Sequence, residues 1–389
     1  MKGAVAGWLV IVAIFALCLE VFSFAILAVV PQFQSLTFRT PDITPAQYEA
    51  YLAERDPELG WPSKAWLAAN TDERGARTSP ANAALGDARP CVSVYGDSFA
   101  FGDEVEDDGT WANYLAETLG CRVESYGVGG YGTDQALLRF ERHVDEGRDL
   151  GEVTILTLYP DNLNRNVNQW RYLLLGEPLS FKPAFYVTES DEVVLAPLFD
   201  GEYDAAMAAM DAPATALPAE LYAPGAPGLR RSVRASFPYT LALTRIAVTL
   251  GQSIRSFETD GNPNHINYPG YFDSAEGPSE AKRRVAVHII ERFARLCEEG
   301  GRRCALVLLP DPELVYLRDG VGNHGLNTWL GPAARGLTYL DATDVFGDLS
   351  DICAHLTNAA DCKGHYSPAG NERVAEFLLE ELSLGLLRD

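Results

Sequence analysis

Two residues in this chain have the types and settings that acyl chemistry needs. Ser98 follows the run Val92-Ser93-Val94-Tyr95 and the pair Gly96-Asp97, and His365 stands in Gly364-His365-Tyr366-Ser367-Pro368. A serine held at a sharp turn can attack a carbonyl, and an imidazole can take its proton and return it. His365 is the one of six histidines in a rigid, turn-rich setting. His143 and His288 fall inside helical patterns and read as surface or packing residues, while His265, His324 and His355 lie in poorly patterned segments. Two further stretches offer donors to a developing negative charge. One is Gly127-Val128-Gly129-Gly130-Tyr131-Gly132, whose backbone can approach a ligand closely; the other is Tyr159-Pro160-Asp161-Asn162, where the Asn162 amide is the donor. The plain alternatives are a tight strand-to-helix turn for the glycines and simple turn initiation for the asparagine.

The elements that must carry these residues follow from periodicity. Val92, Val94 and Tyr95 suit a buried strand, and Gly96 permits the turn that exposes Ser98 at its carboxyl end. Residues 121–126 read as a second short strand. The third, Val153-Thr154-Ile155-Leu156-Thr157-Leu158, is apolar or β-branched throughout, as a central parallel strand should be. Ala136, Leu137, Phe140 and Val144 share one helical face that ends near Gly147. A helix over about 278–299 leads to a fourth strand at 304–309, and an amphipathic stretch from Val374 to Leu387 closes the chain.

In order and strand-end placement, these blocks resemble the SGNH (GDSL-like) hydrolases. Gly96-Asp97-Ser98 matches the first block, Gly130 the second, Asn162 the third and His365 the last. The resemblance covers residues 89–165 and 280–389. It implies a three-layer α/β/α fold with a five-stranded parallel sheet, of flavodoxin-like type. It also implies ester chemistry without a cofactor or metal: Ser98 as nucleophile, His365 as base, Gly130 and Asn162 in the oxyanion hole. The related periplasmic alginate-modifying acetyltransferases indicate that such a site can hydrolyse an ester or transfer its acyl group. Two departures stand out. Asn162 follows Asp161 and precedes Leu163, where the family usually reads Gly-x-Asn-Asp. The position three before His365, where the family usually has an aspartate, is Cys362. Asp361, four before, is the first candidate for the acid; Asp341, Asp344 and a Ser–His dyad without an acid remain open.

Residues from Ala4 to Val30 carry one charge, Glu20. A helix of that length reaches about 40 Å, enough to cross a hydrocarbon core of about 30 Å. With Lys2 on the short amino side and no convincing Ala-x-Ala site, residues 1–33 read as a retained signal anchor, a cleaved peptide being the alternative. Glu20 either snorkels or meets another membrane helix. Six cysteines lie outside the anchor, and with neighbouring strands implied by the resemblance they fall into the pairs Cys91–Cys121, Cys297–Cys304 and Cys353–Cys362. Such pairs indicate an oxidising, extracytoplasmic compartment, periplasmic or extracellular. No Cys/His spacing suggests a metal site. A net charge of −23 argues against nucleic acid. The expected partners are the membrane, an ester-bearing small molecule or polysaccharide, and a membrane protein if Glu20 requires one.

Residues 34–88 read as a membrane-proximal segment, with a helix starting at Thr44-Pro45, ahead of a hydrolase domain over 89–389. Residues 163–279 form a largely helical insertion within that domain, irregular from Ala212 to Pro227 and apolar from Tyr239 to Leu250. It begins immediately after Asn162, so Arg165 is a candidate donor to substrate hydroxyls or acidic sugars, and Trp170 a face for a pyranose ring. Ion pairing for the arginine and packing for the tryptophan are the equal alternatives.

Overall fold

The computed structural model describes residues 2–34, 37–224, 233–248, 278–322 and 325–381. His265, His324, the last two residues of the apolar stretch 239–250 and the end of the stretch 374–387 lie outside them. The chain divides into two compact units, one of residues 1–49, 170–180 and 200–267, the other of residues 50–169, 181–199 and 268–389.

The second unit holds the expected sheet. Its strands are β1 (Pro90–Tyr95), β2 (Arg122–Ser125), β3 (Val153–Leu158), β4 (Arg303–Leu308) and β5 (Thr338–Asp341), in spatial order β2-β1-β3-β4-β5. All neighbours are parallel, with Val94 opposite both Ser125 and Ile155, Ile155 opposite Ala305, and Ala305 opposite Thr338. Every residue of β3 is buried, because helices cover both faces of the sheet. Successive side chains leave a strand on opposite faces. Val92, Val94, Val153, Ile155, Ala305 and Val307 therefore share one face, packed against α3 (Trp111–Leu119), α8 (Pro312–Val321) and α9 (Pro368–Glu381). Tyr95 leaves the other face, where it meets Phe140 of α4 (Thr133–Asp145), which in turn meets Phe293 of α7 (Glu280–Glu299). This is the three-layer α/β/α arrangement.

Local signals explain where the helices start and stop. The Thr110 hydroxyl accepts the Asn113 N–H at the start of α3, and Gly120 ends it in the left-handed region at φ 66°. Asp311 caps α8 ahead of Pro312, and Gly322 closes it. Thr44 caps the helix Pro45–Glu54 through the Gln47 N–H. Gly96 has a packing reason: a Cβ there would overlap the Thr157 side chain of β3. The order also creates a topological switch point between β1 and β3, whose carboxyl ends diverge into loops of opposite direction. Open sheets of this type bind ligands at such a point.

The three expected cysteine pairs are all disulfides, with Cα–Cα separations of 5.9 Å for Cys91–Cys121, 6.2 Å for Cys297–Cys304 and 4.5 Å for Cys353–Cys362. Cys18 is free and exposed. Within the insertion, Tyr203–Asp211 is helical, as is α6 (Tyr239–Val248) inside the apolar stretch 239–250, while Pro213–Ala216 forms one helical turn inside the stretch 212–227 that was expected to be irregular. An antiparallel hairpin, Ala184–Val187 with Val193–Ala196, was not anticipated. Its signal is a short β-branched run on each side of Glu189-Ser190-Asp191, and Asp191 takes the positive φ of 68° that the turn requires. The first unit contains α1 (Lys2–Val29), α6 and a two-stranded pairing of Thr37–Phe38 with Val233–Arg234.

Non-reducing peptide mapping should recover these three pairs and leave Cys18 alkylatable. The double variant Cys91→Ser/Cys121→Ser should lower unfolding free energy by about 2–4 kcal/mol in urea titrations; an unchanged midpoint would mean the bridge constrains nothing.

Candidate functional site

The site forms where β1, β2 and β3 release their loops. Ser98 is the first residue of α2 (Ser98–Phe101), a short helix capped by Asp97, whose carboxylate accepts the Phe99 N–H at 2.9 Å. Gly102 ends that helix after one turn at φ 80°. Ser98 is 5% exposed. Among the described residues its backbone N–H has no hydrogen-bond partner, nor does that of Gly130, which sits at φ 79° in the β2 loop. Two unengaged N–H groups on adjacent strand-end loops are what an oxyanion hole is made from.

His365 lies on β7 (Lys363–Tyr366), which pairs antiparallel with β6 (Leu356–Asn358). The imidazole packs on the ring of Phe99, the residue after Ser98, at 4.7 Å between centroids. Phe99 is itself held by Tyr159 at 3.9 Å and Tyr366 at 4.9 Å, so the aromatic wall fixes the histidine plane beside the serine turn. The loop between β6 and β7 is fastened by Cys353–Cys362.

The carboxylate beside His365 is Glu104, and the structure does not bring Asp361 there. Glu104 Oε1 stands 3.1 Å from His365 Nδ1, and Oε2 accepts the His365 backbone N–H at 3.2 Å and the Thr357 hydroxyl. The Nδ1–Oε1 contact is in ion-pair range but off the hydrogen-bond direction, so Nδ1 lacks an aligned acceptor; such contacts often tighten only when substrate binds. The Thr357 hydroxyl holds the Glu104 carboxyl below the usual range, with the His365 N–H and imidazole adding to it against a smaller cost of burial. Glu104 is therefore ionised where it faces the base. It takes φ 66°, a left-handed conformation costing a non-glycine residue about 1 kcal/mol or more. Asp361 is exposed and turned to its own loop, accepting from Asn358 Nδ2 at 3.0 Å. Asp344 pairs with Arg318 at 3.1 Å, and Asp341 accepts from Asn327 and Thr343. The signal is Asp103-Glu104 in the turn after Ser98, far in sequence from the segment just before His365 where the family pattern places the acid.

Asn162 arrives at the site as expected, on α5 (Asn162–Arg165), but its amide is occupied. Nδ2 donates to Asp97 at 2.8 Å and to the Tyr131 carbonyl at 3.2 Å, while Oδ1 accepts the Tyr159 N–H at 2.8 Å. It ties three loops together. Arg165 does the same with its guanidinium: Nε donates to Asp161 at 2.8 Å, Nη1 to the Tyr131 carbonyl at 3.1 Å and to Asp97 at 3.4 Å. Burial pushes the Asp161 carboxyl up, but Arg165 and the Asn164 amide outweigh it and hold it below its ordinary range. Of the arginine nitrogens, Nη2 alone has no hydrogen bond among the described residues.

Trp170 belongs to the first unit and is fully buried. Its indole N–H donates to the Pro178 carbonyl at 2.8 Å, its backbone N–H to Glu220 at 2.8 Å, and its ring stacks on Tyr172 at 4.7 Å and edges Phe38 at 6.2 Å. No face remains for a sugar. The structure places Trp170 as the packing alternative has it, in the core of the first unit. No group of three or more metal-ligating side chains occurs among the described residues.

No protein-family model matches the sequence, and no curated protein matches it. Among solved structures, one described as a lipolytic protein of the G-D-S-L family from Desulfitobacterium hafniense DCB-2 is 12% identical, covering 74% of this chain and 97% of its own, with a TM-score of 0.34. A second crystal structure is 14% identical, covering 76% of this chain and 96% of its own, with a TM-score of 0.36. The assignment of the fold as SGNH-like rests on the strand order, register and strand-end placement described above.

If Glu104 orients the base, Glu104→Gln should lower kcat for an ester substrate by roughly 10²-fold or more, as loss of the triad acid does elsewhere. Asp361→Asn should leave kcat unchanged; the reverse pattern would return the role to Asp361. Trp170→Ala should cost about 3–5 kcal/mol of stability, as deletion of a large buried aromatic does. It should lower Tm while reducing activity on small and large esters alike; a KM increase confined to a carbohydrate ester would overturn the packing role.

Proposed function

We propose that this chain is a serine esterase whose active domain lies outside the cytoplasm, tethered by its N-terminal helix and acting on an ester-bearing substrate of the cell envelope. The observation that carries this reading is the chain of contacts from the Ser98 turn through Phe99 and His365 to Glu104. Ser98 Oγ attacks the ester carbonyl while His365 takes its proton. Glu104 stabilises the imidazolium that results. The negative oxygen of the tetrahedral intermediate is received by the Ser98 and Gly130 N–H groups. His365 then delivers its proton to the leaving alcohol, and water repeats the sequence on the acyl-enzyme. Asn162 and Arg165 act as positioning residues, holding Asp97 and the Tyr131 carbonyl so that both donor loops keep their places.

The placement is supported by α1, whose segment Gly7–Val29 is long and apolar enough to cross a membrane, and by three disulfides in the other unit. A sugar hydroxyl in place of water would make the same site an O-acyltransferase. A non-catalytic binding role has one observation in its favour, the commitment of both Asn162 N–H groups to protein acceptors.

Covalent labelling decides between turnover and binding. A fluorophosphonate should label the wild-type protein at Ser98, and Ser98→Ala should lose both the label and roughly 10³-fold or more of esterase activity with its melting temperature intact. An unlabelled, inactive wild-type protein would favour the binding role. Acetyl and longer-chain nitrophenyl esters, compared with and without a polysaccharide acceptor, distinguish hydrolysis from transfer.

A further inference from the structure

Glu20 is the one charge in the apolar segment Gly7–Val29 of α1, and the structure supplies its partner from the same chain. Its carboxylate sits at the N-terminus of α6: Oε2 accepts the Tyr239 N–H at 2.6 Å, and Oε1 accepts the Thr240 N–H at 3.3 Å and the Thr240 hydroxyl at 2.5 Å. The Ser23 hydroxyl reaches the same threonine at 3.4 Å. One helical turn further along α1, Phe24 packs on Tyr239 at 5.0 Å between centroids. Leu27 then clusters with Ala242, Ile246 and Val233. α6 therefore runs beside α1 in the same direction, starting at the level of Glu20.

We propose that α6 is a re-entrant membrane helix. On this view the chain descends from Arg234 through Phe237-Pro238 into the leaflet beside α1, turns at Glu20, and climbs back as α6 with its outer face in lipid acyl chains. The inference rests on the reading of α1 as membrane-spanning.

The lengths agree. From Glu20 to Val29 is about 14 Å of helix and from Tyr239 to Val248 about the same at 1.5 Å per residue, each close to half of a hydrocarbon core of about 30 Å. Backbone groups in hydrocarbon must be satisfied within the protein. The first two α6 N–H groups are taken by Glu20, the Leu241 N–H by the Pro238 carbonyl at 3.1 Å, and the Thr244 hydroxyl by the Thr240 carbonyl at 2.8 Å. The carboxylate in turn receives N–H donors and the positive end of a helix, which offsets the cost of a charge at that depth.

Lipid is the occupant that the surface fits. Phe237 is 73%, Leu241 49% and Val248 54% exposed, continuous in character with the exposed apolar side chains of α1 from Trp8 to Val29. Arg245 is the single cation on α6 and lies in its last turn, from where its stem can carry the guanidinium to the headgroups.

Nitroxide scanning in vesicles tests this with the full chain. Phe237→Cys and Leu241→Cys, each in a Cys18→Ser background, would be labelled and reconstituted in phosphatidylcholine–phosphatidylglycerol vesicles. The native chain labelled at Cys18 serves as the α1 reference, and Glu189→Cys in the Cys18→Ser background as the aqueous one. Both α6 labels should show several-fold stronger relaxation by oxygen, relative to a nickel chelate, than the Glu189 position, matching Cys18. Nickel accessibility at 237 and 241 with Cys18 in lipid would overturn the re-entrant helix and leave the anchor standing. Shielding of both labels from both relaxants would overturn it in favour of a protein partner, such as a second copy. A water-exposed Cys18 would remove the anchor and this inference together.

Discussion

The buried Asp97 carboxylate is the constraint on which the candidate site depends. One oxygen caps the single-turn helix that presents Ser98; the other receives Asn162 and Arg165 from the loop after β3. The same asparagine and arginine also grip the Tyr131 carbonyl, beside Gly130 in the loop after β2. Three strand-end loops thus share one hydrogen-bonded knot at the switch point of the sheet. A wholly buried carboxylate is tolerable only with such saturation, since an unpaired charge there would cost several kcal/mol. The saturation has a consequence for the chemistry: groups committed to Asp97 are not free for a substrate, and among the described residues the unengaged donors here are the Ser98 and Gly130 backbone N–H groups and Arg165 Nη2.

His365 is held in a different way. His365 is placed by an aromatic wall on one side and by a half-exposed glutamate on the other. Gly364 makes this approach feasible, because a Cβ at its φ of 91° would run into both Thr357 and Glu104. Because Glu104 reaches His365 from the Ser98 loop, it couples the two halves of the candidate site directly. The disulfide Cys353–Cys362 fastens the same loop, with Cys362 three positions before His365.

In the other unit, a single carboxylate plays the corresponding part. Glu20 is costly alone in an apolar helix, and α6 begins where that cost is offset. The pairing binds a segment more than two hundred positions away in sequence to the apolar N-terminal helix, which no local pattern in either segment reveals.

Much was legible in the residues alone. Periodicity and composition sufficed for the parallel strands, the apolar N-terminal helix, the serine turn and the histidine loop, because each is set by local rules of burial, β-branching and glycine geometry. Cysteine placement around short turns favoured two of the disulfides, and the strand neighbours implied by the family resemblance favoured Cys91–Cys121. What tertiary structure alone decided were choices among chemically equivalent candidates. Asp361, Asp341, Asp344 and Glu104 all carry carboxylates, and only the folding of the β1 loop against β7 put Glu104 beside the imidazole. Asn162 and Arg165 have donors in any fold, but the position of Asp97 and Tyr131 determined where those donors point. Trp170 reads as well for stacking as for packing until Phe38, Tyr172 and Glu220 close around it. Sequence specifies which groups exist and which elements carry them; distances between elements far apart in the chain emerge only when the core is packed.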